Sequence, residues 1–216
     1  MSVAVLRFPG TNCDLDMGYA YEKLGAKVQY VWHSQTSLPQ GVDLVVFAGG
    51  FSYGDYLRSG AIAKVANIMG AVREFANKGG RVLGICNGFQ ILTESGLLEG
   101  VLHKNEGLKF IAKSVELEVV SVQNDFLSPY KLGEKITLPI AHADGNYFID
   151  NEGLKRLQDN DQILLRYAYD VNGSVDRIAG ICNKSKNVFG LMPHPERAIE
   201  SALGGEDGTA MLGALL

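Results

Sequence analysis

"GRVLGICNGFQIL", residues Gly80 to Leu92, is the stretch on which the fold turns. Arg81 to Cys86 is apolar on both faces and reads as a buried strand, and Asn87 to Glu94 follows at once with a helical pattern. Cys86 sits at the joint, between Gly84 and Gly88. A strand that turns sharply into a helix projects the residue at the turn from the carboxyl edge of a sheet, where open α/β proteins place their ligands. The pattern Gly-x-nucleophile-x-Gly marks such an elbow, because larger side chains at the glycine positions crowd the turn. A helix N-terminus beside a thiol favours the thiolate, the form that attacks carbonyl carbon. The bland alternative is a buried structural cysteine.

Outward from this elbow, short β-branched runs alternate with amphipathic stretches. Strands are expected at Val3–Phe8, Val28–Trp32 and Asp43–Ala48, and helices at Asp14–Leu24 and Gly60–Lys78. Gly25, Gly79 and Gly96 fall just past helical patterns, where a left-handed cap is wanted. From Leu108 the rhythm changes: Val115–Val122 and Lys135–Ala141 read as antiparallel strands, followed by a helix near Gly153–Gln158. Strands at Ile163–Tyr169, Arg177–Asn183 and Val188–Met192 precede a last helical stretch from Glu196. The fold class is therefore α/β: a flavodoxin-like, mostly parallel sheet with helices on both faces and a mixed, antiparallel extension in the second half. No linker or repeat interrupts it, so residues 1–216 are expected to form one domain.

Composition narrows the partners. The net charge of −4 and the absence of Lys/Arg runs argue against nucleic acid. The segment Met1–Phe8 lacks a basic n-region and its apolar run ends at Arg7, so neither an export signal nor a membrane anchor is expected. Three widely spaced cysteines fit a reducing, cytoplasmic setting better than a disulfide framework. With no Cys-x-x-Cys or His-x-x-x-His pair, no metal is expected.

A cysteine nucleophile needs a base, and the base needs a partner that holds its tautomer. His194 stands in Met192-Pro193-His194-Pro195-Glu196. Pro195 pushes His194 into an extended conformation, and side chains two apart on extended chain lean to the same side, so Glu196 can accept from one ring nitrogen. The segment follows a predicted strand and would emerge at a sheet edge, although a lone His-Pro-Glu triplet is also compatible with an ordinary turn. His142 with Asp144 is a second, lower-ranked dyad. Cys13 is followed by Asp14 and Asp16, which would raise a thiol's pKa, and Cys182 reads as core, so neither competes with Cys86. Gly49-Gly50, beyond a neighbouring strand, can turn backbone N–H groups toward the elbow as an oxyanion hole, or can be a simple tight turn.

Taken together, Gly84-x-Cys86-x-Gly88-x-Gln90, the Gly-Gly pair and His194-Pro195-Glu196 resemble the class I, triad-type glutamine amidotransferases. The strings "FPGTNCD", "AGGFSYGDYLRSGAIA", "NGSVDRIAGI" and "MPHPERA" resemble more narrowly the glutaminase subunits of phosphoribosylformylglycinamidine synthase. The resemblance implies that Cys86 attacks the side-chain amide of glutamine, that His194 shuttles the proton and that Glu196 orients it. It further implies an oxyanion hole from the N–H groups of Gly50 and Asn87, and substrate contacts from Gln90. Ammonia would pass to a synthetase subunit that uses ATP and Mg²⁺, with a small third subunit assisting and no cofactor in this chain. One departure is "HADG", where the family pattern is nearer "HGEG". Two rival readings are a cysteine hydrolase of the DJ-1/PfpI type, in which a histidine usually follows the elbow cysteine, and an inactive docking subunit.

Overall fold

A computed structural model describes all residues from Met1 to Leu216. The strands are β1 (Ser2–Arg7), β2 (Lys27–Trp32), β3 (Leu44–Phe47), β4 (Arg81–Ile85), β5 (Val101–His103), β6 (Ile111–Val119), β7 (Lys135–His142), β8 (Asn146–Phe148), β9 (Ile163–Tyr167), β10 (Ile178–Cys182) and β11 (Val188–Leu191). The helices are α1 (Asp14–Lys23), α2 (Ile68–Asn77), α3 (Asn87–Glu94), α4 (Asn151–Asp159) and α5 (Thr209–Gly213).

Nine strands form one sheet in the order β2-β1-β3-β4-β11-β10-β9-β6-β7, and β5 pairs with β8 as a separate ribbon. From β2 to β11 the pairings are parallel. From β11 to β7 they are antiparallel. Burial explains the division. Strands β3, β10 and β11 are buried at every residue, as strands covered on both faces must be, whereas β7 alternates buried and exposed positions in the manner of a one-sided sheet. One continuous apolar core runs beneath both halves. Gly25, Gly79 and Gly96 adopt φ of +87°, +87° and +71°, the left-handed caps expected after the first three helices. The Asp150 carboxylate accepts from Gly153 N–H at 2.7 Å and caps α4, a contact worth about 1 kcal/mol.

Two expected helices are corrected. The stretch expected as Gly60–Lys78 forms only a single 3₁₀ turn at Ala63–Val65 before the α-helix begins at Ile68. Gly60 has φ +80°, and a β-carbon there would lie 2.8 Å from the backbone of Gln90, so the chain is pressed onto α3 and bends before α2 begins. The stretch from Glu196 forms single tight turns at Pro195–Arg197 and Ser201–Leu203 before α5. The short β5–β8 ribbon was not foreseen, since three-residue strands leave too little periodicity to read.

The elbow depends on close packing between α3 and the sheet. A β-carbon at Gly88 would stand 2.1 Å from the carbonyl oxygen of Phe47, and one at Gly84 would stand 2.7 Å from the backbone of Gly88. Gly88→Ala is expected to destabilise the fold by about 1–3 kcal/mol or more, because a backbone carbonyl cannot rotate aside as a side chain can. Gly70→Ala, with open space around it inside α2, is expected to be neutral or stabilising by up to about 1 kcal/mol. Urea unfolding of the two variants checks the contrast.

Candidate active site

Strands β4 and β11 are parallel neighbours, so their carboxyl ends open on the same rim and bring Cys86 and His194 together from distant parts of the sequence. Cys86 has φ +52° and ψ −106°, a conformation rare outside glycine that costs on the order of 1–3 kcal/mol. Its N–H is held by the Leu191 carbonyl at 2.8 Å, and its own carbonyl accepts from Gln90 N–H at 3.1 Å. The strained turn is thus fixed from both sides. The thiol is buried and donates weakly to the Ala141 carbonyl at 3.7 Å.

His194 and Glu196 form the pair that Pro195 was expected to set. Imidazole Nδ1 donates to Glu196 Oε1 at 2.6 Å, and the two residues are 1% and 2% exposed. The other nitrogen, Nε2, is buried with no hydrogen-bond partner. Burial alone would pull the His194 imidazole down, but the charges of Glu196 and Cys86 outweigh it and push it up to about 10. Gly49 shows how closely the groups converge. A β-carbon there would lie 2.8 Å from His194 Cε1, 3.2 Å from Cys13 Sγ and 3.5 Å from Cys86 Cβ.

Two cavities flank Cys86. One, of about 190 Å³, is lined by Cys13, Cys86, Phe110, His194 and Arg197 among others. The other, of about 50 Å³, is bounded by Asp55, Ser59, Cys86, Gln90, His142 and Asp144. Gly50 borders both. It has φ +149°, and a β-carbon there would strike the backbone of residues 10 to 12 at 2.7–2.8 Å. Phe51 N–H pairs with the Gly10 carbonyl and Cys13 N–H with the Gly49 carbonyl, which leaves the N–H of Gly50 itself outside the pairing. Asn87, first residue of α3, accepts from Ser52 N–H at 3.1 Å and donates to Gln90 Oε1 at 2.8 Å. Gln90 Nε2 in turn donates to the Asp144 carbonyl at 2.6 Å. This chain of amides fixes the wall of the smaller cavity. At its far end the Asp55 carboxyl is pushed up to about 6 by burial and by the neighbouring Asp144 carboxylate.

The structure therefore brings Cys86, His194, Glu196, Gly50, Asn87 and Gln90 to one place. His142 and Asp144 do not form a dyad. His142 Nδ1 meets Asn105 Oδ1 at 3.0 Å, while the Asp144 carboxylate accepts from Ser59 Oγ at 2.9 Å. Asn105 Oδ1 also accepts from Gly145 N–H, so it is an acceptor toward the ring as well. Burial and the charge of His194 push His142 down to about 4 and keep it neutral. Sequence reasoning missed Cys13 and Arg197. Cys13 was set aside because of Asp14 and Asp16, yet its sulfur lines the larger cavity and accepts from Arg197 Nη2 at 3.0 Å. Its thiol is indeed pushed up, to about 12, but chiefly by burial and then by Glu196, with Asp16 the least of the causes. Cys182, wholly buried at the end of β10, is core as expected.

Residues 1–204 match the model of the CobB/CobQ-like glutamine amidotransferase domain. The chain belongs to this family of glutamine amidotransferases. The relatives narrow the group. The phosphoribosylformylglycinamidine synthase subunit PurQ of Wolinella succinogenes is 60% identical, over 100% of this chain and 99% of its own length. The PurQ subunit of Campylobacter jejuni is 57% identical, over 100% and 96%. The solved structure of PurLQS from Thermotoga maritima superposes with a TM-score of 0.91 at 45% identity, covering 99% of this chain and 96% of that one. The branch to which the chain belongs is thus that of the PurQ subunits.

Proposed function

We propose that this chain is the glutaminase subunit of phosphoribosylformylglycinamidine synthase. In that role it hydrolyses glutamine to glutamate and ammonia for a separate synthetase subunit, which makes formylglycinamidine ribonucleotide from formylglycinamide ribonucleotide in purine biosynthesis. The synthetase uses ATP and Mg²⁺, a small third subunit completes the assembly, this single-domain chain contributes no cofactor, and the complex works in the cytoplasm. The observation that carries the reading is the convergence of Cys86 and the buried His194–Glu196 pair on one cavity, in a chain that matches PurQ subunits along its whole length. No helix is long and apolar enough to cross a membrane.

The chemistry follows from the geometry. The Cys86 sulfur attacks the side-chain carbonyl carbon of glutamine, forming a C–S bond and a tetrahedral oxyanion that the N–H groups of Gly50 and Asn87 stabilise. The acidic end of the smaller cavity suits the α-ammonium of the substrate. His194, holding its proton because Glu196 and Cys86 raise its affinity, gives that proton to the departing nitrogen and ammonia leaves. The sulfur is now a neutral thioester, so one of the two charges that raised His194 is gone. The imidazole, left neutral by that proton transfer, accepts a proton from the water that hydrolyses the thioester. The same histidine is thereby acid in the first half and base in the second, with Glu196 holding one tautomer throughout.

The test is to give glutamine to the assembled complex, quench in acid and map the peptides. A glutamyl thioester on the Cys86 peptide is expected, with glutamate and ammonia released in equal amounts. Ammonia release that persists after complete alkylation of Cys86 would remove the proposed nucleophile.

A further inference from the structure

Cys13 has no part in the proposed hydrolysis, yet its sulfur is held in the same cavity as the nucleophile. A β-carbon at Gly49 would lie 3.2 Å from Cys13 Sγ and 3.5 Å from Cys86 Cβ, so both cysteines approach the same point of the Gly49 backbone. Donor atoms of Cys13, His194 and Glu196 lie within 4.8 Å of one another, His194 lines the same cavity as both cysteines, and its Nε2 is buried without a partner. Arg197 donates to the Cys13 sulfur at 3.0 Å and would steady it as an anion. All three cysteines of the chain are free.

We propose that Cys13 is the resolving thiol for Cys86, and that a hydroperoxide converts the two into a disulfide that reversibly closes the site. In the first step the Cys86 thiolate attacks one peroxide oxygen. An S–O bond forms as the O–O bond breaks, sulfur loses two electrons to the peroxide, and the departing oxygen takes a proton from the His194 imidazolium. The product is a sulfenic acid on Cys86, together with water or an alcohol. His194, left neutral by that proton transfer, then takes the proton of Cys13. In the second step the Cys13 sulfur attacks the Cys86 sulfur; the S–S bond forms, the S–O bond breaks, and hydroxide leaves with the proton from His194 as water. In sum, two thiols and one hydroperoxide give one disulfide, one water and one alcohol or second water. Cys13 rests as a thiol and does not itself meet peroxide first, whereas a sulfenic acid without a resolving partner goes on to the irreversible sulfinic acid. Cys13 therefore protects the nucleophile from permanent loss.

The experiment exposes the reduced, full-length chain to hydrogen peroxide, alkylates the remaining thiols and maps the peptides. A Cys13–Cys86 linked peptide, a loss of two hydrogens from the intact mass and alkylation of Cys182 alone are expected. Glutaminase activity of the reassembled complex should return on treatment with dithiothreitol. Cys13→Ser, compared with its own untreated activity, should instead accumulate sulfinic acid at Cys86 and recover at least about ten-fold less than the unmodified chain. Cys13→Ala gives the same reading if the serine variant fails to fold. A peroxide-treated chain in which Cys13 remains alkylatable while Cys86 is sulfinic acid, or a Cys13→Ser protein that recovers as fully as the original, would overturn the proposal. Because the peptide map needs no turnover, failure of the proposed hydrolysis is read separately.

Discussion

Cys86→Ala in the assembled complex is expected to lower glutamine-dependent synthesis by about 10⁴-fold or more while leaving synthesis from added ammonium salt unchanged, in line with the losses seen when a covalent nucleophile is removed. The reason is geometric. No other nucleophile stands at the elbow, and the second thiol in the cavity, Cys13, is pushed up to about 12 and engaged by Arg197, so it does not stand in. In the proposed mechanism glutamine is held by backbone groups and by the wall around Gln90, which the substitution leaves in place. Measurement of glutamate and of the amidine product with either nitrogen source separates the effects. Glutamine-dependent synthesis within about ten-fold of the original would place the nucleophile elsewhere.

Glu196→Gln is expected to cost on the order of 10³- to 10⁴-fold in glutamine hydrolysis, because an amide can offer its N–H to the ring and stabilise the wrong tautomer. A pH signature accompanies the loss. The imidazole is pushed up to about 10, and the Glu196 carboxylate is the foremost of the causes that raise it. Removing that charge lowers the pH at which His194 gives up its proton, so the alkaline limb of the ammonia-releasing half-reaction moves to lower pH. The same linkage acts on stability. A folded-state value above the unfolded one, near 6.5, contributes stability that is full below about pH 6.5 and fades as pH rises toward 10. The variant should therefore lose less melting temperature across that window than the original chain. A rate loss without movement of the alkaline limb would mean that Glu196 only packs against the ring.

The parts legible in the sequence share one property: their geometry is set within a few residues. The elbow is announced by Gly84 and Gly88, and the His194–Glu196 pair by the proline after His194. The strands of the parallel half are apolar on both faces and bounded by capping glycines, so they too can be read locally. The rest is decided by distant packing. Residues 60–67 carry apolar residues at helical spacing, but the approach of Gly60 to the backbone of α3 bends them out of helix. Cys13 reaches the cavity because the chain after β1 folds back through Gly10, with φ +91°, to pair Thr11 with Gly50. Arg197 meets Cys13 across most of the chain's length. Neither contact leaves a trace in the neighbouring sequence. Spacing alone offers His142 a lower-ranked partner in Asp144, and Asn105, far away in the chain, takes its ring instead.

The order of the sheet bears on how the protein comes into being. Strand β11, the last to leave the ribosome, belongs at the centre, between β4 and β10. Until it arrives, the parallel and antiparallel halves have no shared seam, and the inner edge of each presents unpaired backbone to any passing strand. The segment that zips this seam is followed directly by His194, so a nascent chain gains its structural unity and the proposed base in the same event. A truncated product of translation is consequently a sticky species without reactivity, which releases no ammonia outside a completed subunit.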